Sequence, residues 1–156
     1  MLLKELRKSK GLTQYEAANY LGISLRTYQS FETDYKKQNG FKYNYILEKI
    51  RLFGYIDENT GVLSIDKIRE ICINVFSNYD VSFCYLFGSY AKGYATENSD
   101  IDLLIDTSVS GLQFFDLIET LREQLKKKID LLDIKQLENN LSLTSEILKD
   151  GIKIYG

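Results

Sequence analysis

Leu2, Leu3, Leu6 and Leu12 recur at helical spacing among polar residues and predict a first amphipathic helix that stops near Gly11. Thr13 and Glu16 have the spacing of a capping box and open a second helix, with Ala17, Ala18 and Leu21 facing inward. Gly22 turns the chain, and Ser24 caps a third helix that runs to about Glu32, anchored by Tyr28 and Phe31. The segment FKYNYILEKIRLF (41–53) predicts a further helix burying Ile46, Ile50 and Phe53. GYIDENTG (54–61) then breaks the periodicity, which places a domain boundary there and divides the chain into 1–56 and 62–156.

Beyond the boundary the period changes. Ile65, Ile68, Cys72, Val75, Phe76 and Tyr79 keep helical spacing, but VSFCYLF (81–87) is β-branched and aromatic and reads as a strand. IDLLID (101–106) and IDLLDI (129–134) are two more strands, separated by an amphipathic helix over 111–128 with Phe114, Ile118, Leu121 and Leu125 on one side. A last helix ends near Lys149 with Gly151 at its C-cap, and IKIY (152–155) adds a short strand. The expected fold class is an all-α helix-turn-helix bundle followed by an α/β (α+β) domain on a small mixed sheet.

Composition narrows the chemistry. No apolar run reaches membrane-spanning length, and MLLKELRKSK is too charged for a signal peptide, so the expected location is cytoplasmic. Cys72 and Cys84 read as reduced core residues. The absence of histidine excludes a Ser-His-Asp triad, a Cys-His pair and imidazole-based zinc sites. A metal would need mostly oxygen ligands, which favours magnesium or manganese. Residues 1–55 hold ten basic and five acidic side chains, and the remainder ten and seventeen, so a basic head precedes an acidic body. A small basic domain is a candidate for contact with a phosphate backbone.

The densest chemistry lies in LFGSYAKGYATENSDIDLLID (86–106). Isolated carboxylates are costly to bury, and two close together repel. Side chains alternate along a strand, so Asp100 and Asp102 share a face while Ile101 and Leu103 enter the core. A shared divalent cation would relieve the repulsion, with Asp130 of KIDLL as the candidate third carboxylate. Gly88 lets backbone approach a phosphate, and the amide and hydroxyl of Ser89 can hydrogen-bond its oxygens. Together these suit metal-assisted phosphoryl or nucleotidyl transfer. Asp106 and Asp133 read as solvated strand ends, and Lys126, Lys127 and Lys128 as the cationic end of a helix.

Two resemblances sharpen these readings. LTQYEAANYLGISLRTYQSFE (12–32) resembles the lambda-repressor-like (XRE) helix-turn-helix family. The resemblance implies that Gln14 contacts phosphate and that Leu25, Arg26, Thr27, Gln29 and Ser30 face the major groove, where Arg26 can pair with guanine and Gln29 with adenine. Thr33-Asp34 stands where that family often has Asn-Gly, which leaves the shape of the following loop open. Gly-Ser, ten residues, then Asp-x-Asp resembles the minimal nucleotidyltransferase (MNT) branch of the DNA polymerase β superfamily, and the likeness continues through KIDLL to EILKDGIKIY. It implies that Gly88 and Ser89 bind the β- and γ-phosphates of ATP and that Asp100 and Asp102 hold magnesium or manganese. Asp130 would aid metal binding or deprotonate the acceptor. Lys92 stands where the family usually has arginine, keeping the charge but losing the bidentate fork.

Small proteins of the MNT branch commonly pair with HEPN-domain ribonuclease toxins. The resemblance therefore implies an antitoxin that transfers AMP from ATP to a tyrosine of the HEPN partner and represses its own operon through operator DNA. It would work as a homodimer or as a hetero-oligomer with the toxin. Two alternatives remain at this stage. One is an antitoxin that acts by complex formation alone. The other is a small-molecule nucleotidyltransferase, although the chain lacks the helical domain such enzymes use to hold their acceptor.

Overall fold

Four short helices build the head: α1 (Leu3–Ser9), α2 (Gln14–Leu21), α3 (Leu25–Thr33) and α4 (Phe41–Leu52). The structure is a computed structural model that describes residues 2–156, and it divides into one unit ending at Tyr55 and another beginning at Ile56. The capping box forms as its spacing predicts: the Glu16 amide donates to Thr13 Oγ1 (3.1 Å) and the Thr13 amide to Glu16 Oε2 (2.7 Å). Gly22 takes the left-handed conformation that ends α2, and Ser24 caps α3. Ala17, Ala18, Tyr28 and Ile50 are fully enclosed, with Leu3, Leu6 and Ile46 around them.

Two expectations shift, and one open point is settled. Leu2 is exposed because it precedes α1 instead of lying on its inner stripe. Phe53 lies just past α4 and is only half-buried, its ring edge-on to Tyr20 at 5.0 Å. Its place in the core goes to Tyr43, whose hydroxyl accepts a hydrogen bond from the Leu3 amide (3.0 Å). After α3 the chain turns without Asn-Gly: Asp34 accepts from the Lys36 amide and caps a 3-10 turn over Tyr35–Lys37.

The body holds α5 (Ile65–Phe76), β1 (Val81–Phe87), α6 (Gly88–Lys92), β2 (Ile101–Thr107), α7 (Leu112–Leu125), β3 (Ile129–Asp133), α8 (Leu141–Asp150) and β4 (Ile152–Tyr155). Its four strands lie in the order β3-β2-β1-β4. β1 runs antiparallel to β2 and β4, while β2 and β3 are parallel and joined through α7. Alternation divides the sheet, apart from irregularities of register in β1. Cys84, Leu86, Ile101, Leu103, Ile105, Leu131 and Ile154 pack with α5 and α7 as the main core. Phe87, Leu104 and Ile147 of α8 form a smaller cluster. Each fully buried Leu or Ile contributes about 1.5–3 kcal/mol.

The seam of α7 is Leu117, Leu121 and Leu125, with Phe114 and Ile118 only half-buried on its flank. The helix stops at Leu125, and Lys126 takes a left-handed turn with φ 58°. Lys127 is therefore no part of a solvated helix end but is fully buried. Asp106 and Asp133 are half-buried, and Asp133 caps a 3-10 turn over Ile134–Leu137 by accepting from the Lys135 amide (3.2 Å). Gly151 follows α8 with an ordinary extended backbone. Glycine is needed there because a Cβ would lie 2.3 Å from the Ile147 carbonyl oxygen. Cys72 and Cys84 are free and buried. Among the described residues no helix is long and apolar enough to cross a membrane.

Candidate functional site

The parallel register sets Asp102 of β2 directly beside Asp130 of β3, and the antiparallel register sets it opposite Phe87 of β1. Three chain segments thus converge at one end of the sheet. Asp100 precedes β2 by one residue, and Gly88-Ser89 leave β1 beside it to begin α6. Asp100 and Asp130 are exposed, and Asp102 is half-buried between them. Burial pushes the Asp102 carboxyl up to about 6, with Asp130, then Asp100, then Glu146 adding like charge.

Gly88 is held at φ +68°, and a Cβ on it would lie 2.1 Å from Asp102 Oδ2. The missing side chain is what lets the strand-to-helix turn pass over the carboxylate. Ser89 is half-buried in the first turn of α6. Lys92, at the end of that helix, pairs with Glu146 of α8 at 2.5 Å. Sequence reasoning missed Glu146. Its one local sign was its place next to Ile147, on the last turn and a half before Gly151.

The donor set fits a hard divalent cation: carboxylate oxygens only, with one carboxyl raised above its ordinary range by burial first and by its like-charged neighbours second. Among the described residues no three such side chains are gathered closely enough to form a metal-binding group as they stand, so the fit rests on the donor chemistry and on the shared register of Asp102 and Asp130. Asp100, Asp102 and Asp130 would hold such an ion. It would neutralise the charge of the carboxylates themselves and of a phosphate bound beside them.

A second candidate surface lies on the head. Leu25, Arg26, Thr27 and Gln29 of α3 are exposed. Gln29 Nε2 donates to Gln14 Oε1 (3.1 Å), and Gln14 Nε2 donates to Glu32 Oε2 (2.9 Å). Glu32 also takes a two-pronged contact from Arg7, at 2.6 Å from Nε and 3.3 Å from Nη2, and Arg7 Nη1 donates to the Leu12 carbonyl (2.7 Å). Burial pushes the Glu32 carboxyl up, but the hydrogen bonds from Arg7 and Gln14 outweigh it and leave it below its usual range. Ser30 is half-buried, and its hydroxyl is engaged by the Thr27 carbonyl and by Lys37 Nζ (2.9 Å), so it is less free than its neighbours. In the sequence Glu32 marks only the end of the third helix. The available signal was Arg7, which shares the inward stripe of α1 with Leu3 and Leu6 and therefore needs a partner.

A model of the family described as "Polymerase beta, Nucleotidyltransferase" matches residues 70–156, and one described as "Helix-turn-helix" matches residues 3–40. The chain is 38% identical over 90 residues to the protein adenylyltransferase MntA of Thermococcus cleftensis, a match covering 54% of this chain and 91% of that protein. It is 38% identical over 65 residues to a Methanocaldococcus jannaschii protein named as a candidate protein adenylyltransferase, covering 39% of this chain and 65% of that protein. The chain spans just under two thirds of the length of this relative and of two others from the same organism. A solved structure described as a candidate minimal nucleotidyltransferase superposes with a TM-score of 0.50 at 25% identity, covering 63% of this chain and 96% of that one.

Proposed function

Because the chain belongs to the polymerase β-type nucleotidyltransferase family and carries an N-terminal helix-turn-helix domain, we propose that it is an antitoxin that transfers AMP from ATP to a tyrosine of a HEPN-type ribonuclease toxin. One observation carries the reading: Asp102 lies in register with Asp130, two residues from Asp100, under a glycine turn that only Gly88 permits. Relatives named protein adenylyltransferases support a protein as the acceptor.

In this reading the Gly88-Ser89 turn and Lys92 bind the β- and γ-phosphates. Asp100, Asp102 and Asp130 hold magnesium or manganese, which supplies charge neutralisation at the triphosphate. The tyrosyl oxygen attacks the α-phosphorus, a new P–O bond forms, the bond to the β-phosphate oxygen breaks, and pyrophosphate leaves. Asp130, exposed at the rim of the site, accepts the hydroxyl proton. The head represses the operon, with Gln14 on a phosphate and Leu25, Arg26, Thr27, Gln29 and Ser30 toward the major groove.

The test mixes the protein with α-labelled ATP, magnesium and the product of the neighbouring gene, alongside Asp100→Asn/Asp102→Asn. Label should move to the partner with the wild type and stay on ATP with the variant. Tight complex formation without label transfer would replace catalysis by neutralisation through contact.

A further inference from the structure

Lys127 is a fully buried lysine for which neither nucleotide chemistry nor helix capping gives a use. Burying an ammonium is costly unless strong acceptors surround it. Here Nζ donates to two backbone carbonyls, Glu97 O at 2.7 Å and Thr60 O at 3.2 Å. Burial pushes its pKa down, while the carboxylates of Asp57 and Glu97 oppose that and favour the charge.

Its position in the chain gives the contact meaning. Glu97 lies three residues before Asp100, and Lys127 three residues before Asp130. The hydrogen bond therefore ties together the two backbones that carry the outer carboxylates, just upstream of each. The Ile101 amide adds a second tie by donating to the Lys128 carbonyl (2.9 Å). The third strand of this knot is the turn over Asp57–Thr60, closed by its own hydrogen bond (Asp57 N to Thr60 O, 3.0 Å). It is fastened to the same loop because the Gly61 amide donates to Glu97 Oε1 (3.3 Å), and Glu58 pairs with Arg122 of α7. The segment that reads as a linker in the sequence is thus bolted to the loop leading into the carboxylate site.

We propose that Lys127 is a positioning residue for that site, setting the separation of Asp100 and Asp130 by clamping the Glu97–Asp100 loop to the start of β3 and to the connecting turn. The clamp acts on cation affinity without touching the cation. It rests on the reading of Asp100, Asp102 and Asp130 as the cation site.

The test is manganese binding to the full chain, followed by electron paramagnetic resonance, together with amide hydrogen exchange in the cation-free protein. In Lys127→Met, manganese affinity should fall at least tenfold. Exchange should quicken at least tenfold over 97–101 and 57–61 while 103–105 in the sheet core keep their protection. Exchange that quickens evenly across the body with manganese affinity unchanged would reduce Lys127 to ordinary packing and overturn the proposal. Should Lys127→Met fail to fold, Glu97→Ala removes an exposed side chain, its bond to Gly61 and a carboxylate that favours the Lys127 charge. It should weaken manganese binding two- to threefold with the same local exchange pattern, and no change in either overturns the proposal. Wild-type protein that binds no manganese would remove the cation-site reading itself, and the clamp with it. Wild-type binding matched by Lys127→Met removes the clamp alone.

Discussion

The Asp102 carboxylate fills the space that a side chain on Gly88 would need: a Cβ there would lie 2.1 Å from Asp102 Oδ2. The positive φ of Gly88 adds a second reason for glycine. Gly88→Ala should therefore cost about 1–3 kcal/mol of stability from backbone strain. It should also push the Asp102 carboxylate out of line with Asp130. Nucleotide transfer should fall at least about 100-fold, more than the stability loss accounts for, since misplacement of about 1 Å has effects of that size. Thermal melting and label transfer, measured on one preparation, check both halves.

Asp102 should make the cation-free protein lose stability as pH rises. Its carboxyl is held at about 6 in the folded chain against an ordinary value of 3.8, so the folded state binds more protons across that window. Stability is then highest below about pH 4, falls through about pH 6, and is flat in this group's contribution above that. Asp102→Asn should abolish the fall and raise the melting temperature at pH 7. Because the side chain is half-exposed, the gain should be about 1 kcal/mol and not the full value of the shift. Melting curves of the wild type and Asp102→Asn from pH 4 to pH 8 in chelator test this, and a wild-type-minus-variant difference that does not fall as pH rises would contradict the electrostatic account of the site.

These two relationships differ in how far they were legible in the sequence. The same-face placement of Asp100 and Asp102 follows from strand alternation, and the strands at 81–87 and 101–107 are marked by β-branched and aromatic runs. The pairing of Asp102 with Asp130 is a long-range register between strands joined through α7, and no local pattern states it. Buried charge was hardest to read. Lys127 sits in a run of three lysines that looks like a solvated helix end, and only the left-handed turn at Lys126 sends it inward. Glu32 and Glu146 were missed for a related reason: each matters through a partner far away in sequence, Arg7 for one and Lys92 for the other.

The Lys92–Glu146 pair should tune nucleotide affinity. Glu146 holds the ammonium that the proposed function assigns to the triphosphate, and it adds negative charge beside Asp102. Both side chains are partly exposed, so solvent screens the pair and leaves either partner free to exchange. Glu146→Gln should then tighten ATP binding about two- to fivefold, and Lys92→Met should weaken it about tenfold. Titration calorimetry in magnesium measures both. Weaker ATP binding in Glu146→Gln would mean that the carboxylate orients Lys92 for phosphate instead of competing with it.

On the head, Arg26 and Glu32 should separate recognition from folding. Arg26 is exposed near the start of α3 and forms no ion pair among the described residues. Arg26→Ala should weaken specific binding to the promoter DNA upstream of the chain's own gene by about 1–3 kcal/mol, leaving the melting temperature unchanged. Glu32 is different, because its side chain is 1% exposed and its partner Arg7 only 9%. Glu32→Ala strands a buried guanidinium and should cost about 3–5 kcal/mol, enough to unfold a small helical unit. It also frees Gln14, and through it Gln29, from the hydrogen-bonded chain that orients them. Both variants should bind DNA less tightly, but circular dichroism should show lost helix only for Glu32→Ala. Nucleotide transfer by Arg26→Ala should match the wild type. A transfer defect in that variant would mean that α3 serves the acceptor protein and not DNA.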